Sequence, residues 1–317
     1  MAHILITGGA GFIGSHLCER YLALGDRVTA VDNFVTGSAD NIKHLLKEKA
    51  FELIEHDVSN PFTPAMESDF GKVDFVLHFA CPASPIDFEK IPLEILKVDS
   101  LGSFHTLEVA KKHKARYLIA STSEIYGDPL VHPQTEDYWG NVNTTGKRSC
   151  YDETKRFAEA CATVYRAKYG VNTGIVRIFN TYGPRMRLSD GRVVPNFCGQ
   201  ALRNEPITVY GTGTQTRSFC YVDDLVAGIM KLVASDCADP VNIGNPDEYT
   251  MLEFAKFVIE AVPGTTSKIE YRPLLHTDDP KQRKPDITRA KKVLAWSPKV
   301  SLADGIGKTL EYFRSKL

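Results

Sequence analysis

Tyr151 and Lys155 stand four residues apart, a spacing that places two side chains on the same face of a helix. An ammonium beside a phenol lowers the pKa of the phenol, so the sequence predicts that Tyr151 is ionised near neutral pH. A phenolate can take the proton of a substrate hydroxyl while the carbinol carbon is oxidised. Thr122, at the end of an apolar run, is expected to hold the same substrate oxygen with its hydroxyl.

Ser123 and Glu124 follow Thr122 directly. A carboxylate at the end of a buried strand is unfavourable unless it has a partner or a chemical task. Oxidation of a carbinol does not require such a carboxylate. Glu124 therefore predicts a second chemical step at the same site.

A glycine pattern near the start of the chain predicts a dinucleotide site. The glycines lie between an apolar run at 3–7 and a helical pattern, where close backbone approach and a helix N-terminus favour a pyrophosphate. Asp32 ends the next apolar run, where a carboxylate accepts hydrogen bonds from the adenosine ribose and repels a 2′-phosphate. The predicted cofactor is therefore NAD rather than NADP, although Asp57 could also be a simple turn residue. The predicted NAD-binding residues are Gly8, Gly11, Phe12, Ile13, Gly14, Asp32, Asn33, Thr36, Gly37, Asp57, Val58, Ala80, Tyr151 and Lys155.

Apolar runs alternate with helical patterns over the first part of the chain, which predicts a parallel sheet covered on both faces. The runs lie at 3–7, 27–31, 51–54, 73–79, 117–120 and 173–178, and long helices are expected at 92–113 and 149–169. We predict an α/β fold: a Rossmann-type doubly wound parallel sheet with a smaller C-terminal α/β substrate-binding lobe. Residues 1–179 with about 222–245 would bind NAD, and residues 180–221 and 246–317 would form the lobe.

Composition narrows the possible partners. The 317 residues carry a net charge of −1, which gives no global attraction to nucleic acid or to an anionic membrane. No apolar stretch approaches the length of a membrane span. Seven cysteines without paired spacing indicate reduced thiols in the cytoplasm and no metal site.

Several longer stretches carry a resemblance to a known family. The glycine pattern, Thr122 and the Tyr151/Lys155 pair resemble the extended short-chain dehydrogenase/reductases, which act mostly on nucleotide sugars. Residues 122–129, 138–143, 148–153, 177–186, 214–219 and 283–287 are similar to the UDP-glucuronate decarboxylases within that family. Epimerases of the family carry small uncharged residues after the threonine, and 4,6-dehydratases carry Asp-Glu. The pair Ser123-Glu124 is that of the decarboxylases.

The resemblance implies conversion of UDP-glucuronate to UDP-xylose through a 4-keto intermediate, with Tyr151 as base and bound NAD recycled. It implies the catalytic residues Thr122, Ser123, Glu124, Tyr151, Lys155 and Arg217. It also implies the nucleotide-sugar contacts Pro82, Asn180, Arg185, Asn196, Tyr210, Gln215, Arg217 and Arg283, with Arg185 and Arg283 suited to the diphosphate. The implied partners are a UDP-sugar and a second copy of the chain, which relatives of this family bind through a four-helix bundle, here formed by the helices near 92–113 and 149–169.

The segment 87–100 departs from the family pattern. Glu94 replaces a family lysine, and Val98-Asp99-Ser100 replaces Thr-Asn-Thr. Lys90 is a possible new cation for the sugar carboxylate, but a solvated lysine is the favoured interpretation. A 4-epimerase or 4,6-dehydratase of another nucleotide sugar, and a non-catalytic NAD-binding sensor, remain as alternatives.

Overall fold

A computed structural model describes residues 1–274 and 280–317. The strands in these residues are β1 (His3–Thr7), β2 (Arg27–Asp32), β3 (Phe51–Glu55), β4 (Phe75–His78), β5 (Arg116–Thr122), β6 (Thr173–Ile178), β7 (Thr181–Tyr182), β8 (Ile207–Tyr210), β9 (Thr216–Ser218), β10 (Cys220–Tyr221), β11 (Pro240–Ile243), β12 (Glu248–Thr250) and β13 (Ile269–Arg272). The helices are α1 (Phe12–Ala23), α2 (Pro64–Phe70), α3 (Pro85–Lys90), α4 (Pro92–His113), α5 (Ser149–Tyr169), α6 (Val193–Leu202), α7 (Val222–Val233), α8 (Met251–Ala261), α9 (Thr288–Leu294) and α10 (Leu302–Arg314).

Seven strands form one sheet in the order β3-β2-β1-β4-β5-β6-β11. Every neighbouring pair in this sheet is parallel. The predicted Rossmann-type parallel sheet is confirmed. The strand order reverses between β1 and β4, and in such sheets ligands bind in the crevice beyond the carboxyl ends of the strands at this point.

The sheet is buried on both faces, as its continuous apolar runs require. All five residues of β1 and all seven of β5 are buried. Side chains alternate between the faces: Ile4 and Ile6 pack in one core cluster with Leu17 of α1, whereas Leu5 packs in the other with Leu107 of α4.

The helices α4 and α5 lie side by side on one face of the sheet. Their ends follow local signals: Pro92 occupies the first turn of α4, and Gly170 ends α5 in the left-handed region at φ 68°. The bounds of both helices agree with those predicted, 92–113 and 149–169. Within the described residues, no helix combines the length and apolarity needed to cross a bilayer.

A smaller α/β lobe follows β6. Its strands pair as short two-stranded units, with β8 parallel to β13 and β9 antiparallel to β12. The helices α6, α8 and α10 pack on one another beside them. The chain returns to the large sheet through α7 and β11, which pairs with β6.

Candidate active site

A cavity of about 770 Å³ opens where β1, β4 and β5 end, at the reversal of strand order. Every residue predicted to bind NAD lines it. Six further predicted residues also line it, namely Pro82, Thr122, Ser123, Glu124, Asn180 and Arg185. The fold thus gathers most of the predicted site in one place.

The glycine turn forms a cradle that a side chain would fill. Gly8 lies at φ 71°, a conformation that favours glycine, and a Cβ on it would lie 2.8 Å from the backbone nitrogen of Ala80. A Cβ on Gly14 would lie 2.0 Å from the carbonyl oxygen of Gly8. The first turn of α1 carries no acidic side chain, and its N-cap Gly11 supplies no side-chain cap. Its amides are therefore available to an anion in the cavity.

Asp32 is buried at the end of β2 and is held by backbone amides. Its Oδ2 accepts a hydrogen bond from the Ala10 amide, and its Oδ1 accepts one from the Phe34 amide, both at 2.9 Å. Burial raises the pKa of Asp32, while these amide hydrogen bonds lower it. A Cβ on Gly37 would lie 2.7 Å from Oδ1, so the small residue leaves this carboxylate open to a ligand.

The first turns of α5 carry Tyr151 and Lys155 to the end of β5. The Lys155 ammonium donates to the carbonyl oxygen of Ala120 at 3.0 Å and to Asp99 Oδ1 at 2.9 Å, and lies 5.6 Å from the centre of the Tyr151 ring. The Phe88 ring stacks on the other side of Tyr151, with centroids 4.8 Å apart. Both residues of the predicted dyad are therefore fixed in place.

The predicted ionisation of Tyr151 is wrong for the protein without ligands. Burial raises the pKa of the Tyr151 phenol, and although Lys155 and a hydrogen bond with Thr122 lower it, Cys81 and Asp99 raise it further. The sequence reasoning counted the lysine charge alone. It missed that Asp99 pairs with the same ammonium.

Glu124 sits in a buried cluster of guanidinium groups. Arg283 binds both of its carboxylate oxygens, at 2.5 and 2.6 Å, and Arg148 binds Oε2 at 2.5 Å. Burial raises the pKa of Glu124, but the two arginines outweigh it and lower the pKa well below its usual value. Burial and the neighbouring Glu124 raise the pKa of Asp152 in the same cluster. Glu124 is therefore a fixed anion at neutral pH.

The sequence profile of the NAD dependent epimerase/dehydratase family matches residues 4–244, more than half of the chain. The chain belongs to this family. Its cofactor is NAD, as the sequence predicted. The glycine cradle, the free amides of α1 and the buried Asp32 carboxylate all fit that cofactor.

Similar members of the NAD dependent epimerase/dehydratase family come from plants and animals. UDP-glucuronic acid decarboxylase 6 of Arabidopsis thaliana is 52% identical over 99% of this chain and 89% of its own length. UDP-glucuronic acid decarboxylase 1 of Danio rerio is 49% identical over 99% of this chain and 73% of its own length. The resemblance to a decarboxylase group noted in the sequence thus extends along the chain.

Solved structures share the fold. A UDP-glucose 4-epimerase from Thermotoga maritima with UDP-glucose has a TM-score of 0.90 at 30% identity, covering 99% of both chains. A UDP-glucuronic acid 4-epimerase from Bacillus cereus, in complex with UDP-glucuronic acid and NAD, has a TM-score of 0.89 at 28% identity. That match covers 99% of this chain and 100% of the other.

Five residues predicted to contact the nucleotide sugar in this family member lie outside the cavity lining. Arg283 is paired with Glu124, and Asn196 on α6 donates to the carbonyl oxygen of Gly191. The other three are Tyr210 in β8, Gln215, which donates to the carbonyl oxygen of Tyr210, and Arg217 in β9. Their part in binding uridine diphosphate stays a prediction.

Sequence reasoning missed a group of charged side chains in the stretch 187–192. Arg187 pairs with Asp87 at 2.5 Å, and Arg192 pairs with Asp190 at 2.5 Å, and both arginines line the cavity. The frequent arginines of this stretch were visible in the sequence. The partner of Arg187 was not, because Asp87 lies 100 positions away along the chain.

Proposed function

We propose that the protein is an NAD-dependent UDP-glucuronate decarboxylase that produces UDP-xylose. The observation that carries this proposal is the partly buried, ionised Glu124 bound by Arg148 and Arg283 in the site that also holds the Tyr151/Lys155 dyad. In the family pattern that the sequence resembles, epimerases carry small uncharged residues where this chain has Ser123 and Glu124. The identity of about half to relatives named UDP-glucuronic acid decarboxylase supports the same substrate.

The first step uses Tyr151 as the base in its phenolate form, after the phenol has lost its proton to water. Its phenol oxygen takes the proton of the sugar 4-hydroxyl, and Thr122 holds the substrate oxygen. Bound NAD supplies the hydride acceptor for the oxidation of carbon 4 and later returns the hydride. The ammonium of Lys155 stabilises the phenolate that this step requires.

Decarboxylation follows because the 4-keto sugar is a β-keto acid. The bond between carbons 5 and 6 breaks, carbon dioxide leaves, and the electron pair forms an enolate whose charge rests on the oxygen at carbon 4. Tyr151, now carrying the proton, and Thr122 donate hydrogen bonds to that oxygen. A proton from solvent water then adds to carbon 5, and reduction at carbon 4 with return of the Tyr151 proton gives UDP-xylose.

The Glu124–Arg283 pair is proposed to face the carboxyl end of the sugar. An anion in contact with two guanidiniums cannot act as a general acid at neutral pH, so Glu124 positions groups rather than donating the carbon-5 proton. Its charge disfavours a second carboxylate nearby, which favours the neutral carbon dioxide product. Ser123, buried between Thr122 and Glu124, is proposed to hydrogen-bond the same end of the sugar.

The NAD-binding unit is proposed to be residues 1–179 with about 222–245, and the uridine diphosphate is proposed to lie against residues 180–221 and 246–317. Arg185 lines the cavity there and pairs with Glu19. A guanidinium of this kind suits a diphosphate. All seven cysteines are free thiols, which supports the proposed location in the cytoplasm.

A homodimer is proposed to form through α4 and α5. Their outer face exposes Leu93, Leu101, Phe104, Phe157 and Val164, and the rings of Phe104 and Phe157 pack edge to face at 5.9 Å. Contiguous apolar side chains on paired helices are typical of an interface. A second copy would bury them in a four-helix bundle.

Incubation with NAD and UDP-glucuronate, followed by mass spectrometry, tests the activity. We expect a UDP-pentose and release of carbon dioxide, and no product from Tyr151→Phe. A UDP-hexuronate epimer would instead identify a 4-epimerase, and conversion of UDP-glucose alone would identify another nucleotide-sugar enzyme. Bound NAD without any product from these sugars would favour a sensor.

A further inference from the structure

Asp99 is a fully buried carboxylate within the segment that departs from the family pattern. It lies on α4, is 0% exposed, and its Oδ1 accepts a hydrogen bond from the Lys155 ammonium at 2.9 Å. Its Oδ2 accepts hydrogen bonds from the Thr154 hydroxyl at 3.2 Å and from the Cys81 thiol at 3.1 Å. Three hydrogen-bond donors, two on α5 and one in the loop after β4, thus bind the Asp99 carboxylate.

A buried charge of this kind has consequences for its neighbours. In the protein interior little solvent screens a charge, so each member of an ion pair influences the ionisation of side chains several ångströms away. Lys155 faces Tyr151 on one side and Asp99 on the other. The phenol therefore experiences both an ammonium and a carboxylate, and the carboxylate opposes the effect of the ammonium.

The remaining titratable groups around the dyad do not replace this carboxylate. They are the Cys81 thiol after β4, the His78 imidazole at the end of β4, the Tyr117 phenol in β5 and the Arg192 guanidinium before α6. Arg192 is itself paired with Asp190. Among the described residues whose charges act on Tyr151, Asp99 carries the carboxylate that opposes Lys155.

We propose that Asp99 is a positioning residue for the dyad: its ion pair holds the Lys155 ammonium against β5 and offsets part of the effect of that charge on Tyr151. This inference rests on the proposed redox role of the dyad. The Tyr151 phenol therefore loses its proton less readily than it would beside an unpaired ammonium.

The variant Asp99→Asn tests the charge while keeping the shape. Its amide oxygen can accept the hydrogen bond of Lys155, and its amide nitrogen can donate to the Thr154 hydroxyl and the Cys81 sulfur. Removal of one buried charge near a titrating group shifts the titration by about 1–3 pH units. We expect the phenol of Tyr151 to titrate at least about one unit lower in Asp99→Asn than in the wild type.

The measurement is an ultraviolet difference titration of the protein without substrate, with the matching Tyr151→Phe background subtracted to isolate one phenol among the 13 tyrosines. It needs no turnover of UDP-glucuronate, so its failure is distinct from failure of the proposed activity. The pH profile of kcat gives a second readout, and its acid limb is expected to move down by the same amount while KM changes little.

Thr154→Val is the matched control. It removes one hydrogen bond to Asp99 and no charge, so its phenol midpoint is expected to equal that of the wild type. If Asp99→Asn does not fold, Asp99→Ser is titrated instead, with the same expected direction. An unchanged midpoint in the folded variant would overturn the proposal, including the case in which Lys155 loses its proton in place of Tyr151.

Discussion

Glu124 shows how a single side chain can be fixed in one charge state. Arg283 and Arg148 approach it from the far end of the sequence and from the start of α5, and together they hold its carboxylate ionised in a buried place. Removing one member of such an ion pair leaves the charge of the other member uncompensated. The functional test of Glu124 must therefore separate chemistry from stability.

Glu124→Gln is expected to keep NAD binding and to lower decarboxylation about 100-fold, a loss typical of removing one preorganised group from an active site. Arg148 and Arg283 lose their anion, so the thermal midpoint is also expected to fall. The measurements are NAD affinity by calorimetry and carbon dioxide release. Glu153→Gln, on α5 and paired with Arg156 at a partly exposed position, is the control, and it is expected to retain full activity. Normal turnover by Glu124→Gln would remove Glu124 from the mechanism.

The buried His78 side chain predicts how the free energy of unfolding depends on pH. Burial, followed by the charge of Lys155, lowers its pKa to about 3, whereas an unfolded chain titrates near the usual value of about 6.5. Between these values the unfolded chain binds the extra proton. The free energy of unfolding therefore falls as the pH drops, by about 2 kcal/mol between pH 7 and pH 5 from this group alone.

Urea unfolding at about pH 7 and pH 5 tests this dependence. His78→Asn can keep a hydrogen bond to Thr7, which His78 Nδ1 contacts at 2.7 Å, and is expected to lose that part of the pH dependence. His44→Asn, at an exposed side chain, should behave as the wild type. If the free energy of unfolding changed equally between the two pH values in the wild type and in His78→Asn, the pH dependence could not be assigned to His78.

At the scale of elements, the turn between β1 and α1 leaves no room for one added methyl group at Gly14. A Cβ on Gly14 would lie 2.0 Å from the Gly8 oxygen, so Gly14→Ala must distort the cradle. We expect NAD affinity to fall at least tenfold and unfolding to become easier by about 1–3 kcal/mol, as for an overpacked site. Calorimetry with NAD and thermal unfolding measure the two effects.

Gly307→Ala is the matched control for that substitution. Gly307 lies in α10, and a Cβ on it would meet nothing within 4 Å. Alanine is favoured over glycine inside a helix by about 1 kcal/mol, so this variant is expected to be more stable and to bind NAD normally. A Gly14→Ala protein with unchanged NAD affinity would remove the cradle from the binding site.

Local sequence predicted the elements that have strong periodicity or clear ends. The helices at 92–113 and 149–169 agree with the structure because proline, glycine and apolar spacing act over a few residues. Strands of two to four residues in the smaller lobe, such as Thr181–Tyr182, carry no such period. Pairings between distant residues were also invisible, as for Glu124 and Arg283, which lie 159 positions apart.

At the scale of the whole molecule, the outer face of α4 and α5 predicts the oligomeric state. The double variant Phe104→Glu/Phe157→Glu places charges where two partly exposed aromatic rings touch. We expect a monomer by light scattering after gel filtration, against a dimer for the wild type. Trp139→Glu, at a side chain that is 88% exposed elsewhere, is expected to leave the dimer intact. A wild-type monomer would rule out the proposed bundle.

The same two helices carry apolar rings outward and Asp99, Tyr151 and Lys155 inward. The proposed association of two chains and the occupation of their cavities are therefore expected to be linked equilibria, and linkage is reciprocal. Ligands that stabilise these helices should lower the dissociation constant of the dimer. Dissociation of the dimer on dilution should lower the ligand affinity by the same factor. Specific activity would then depend on protein concentration, with a midpoint that shifts as substrate is added.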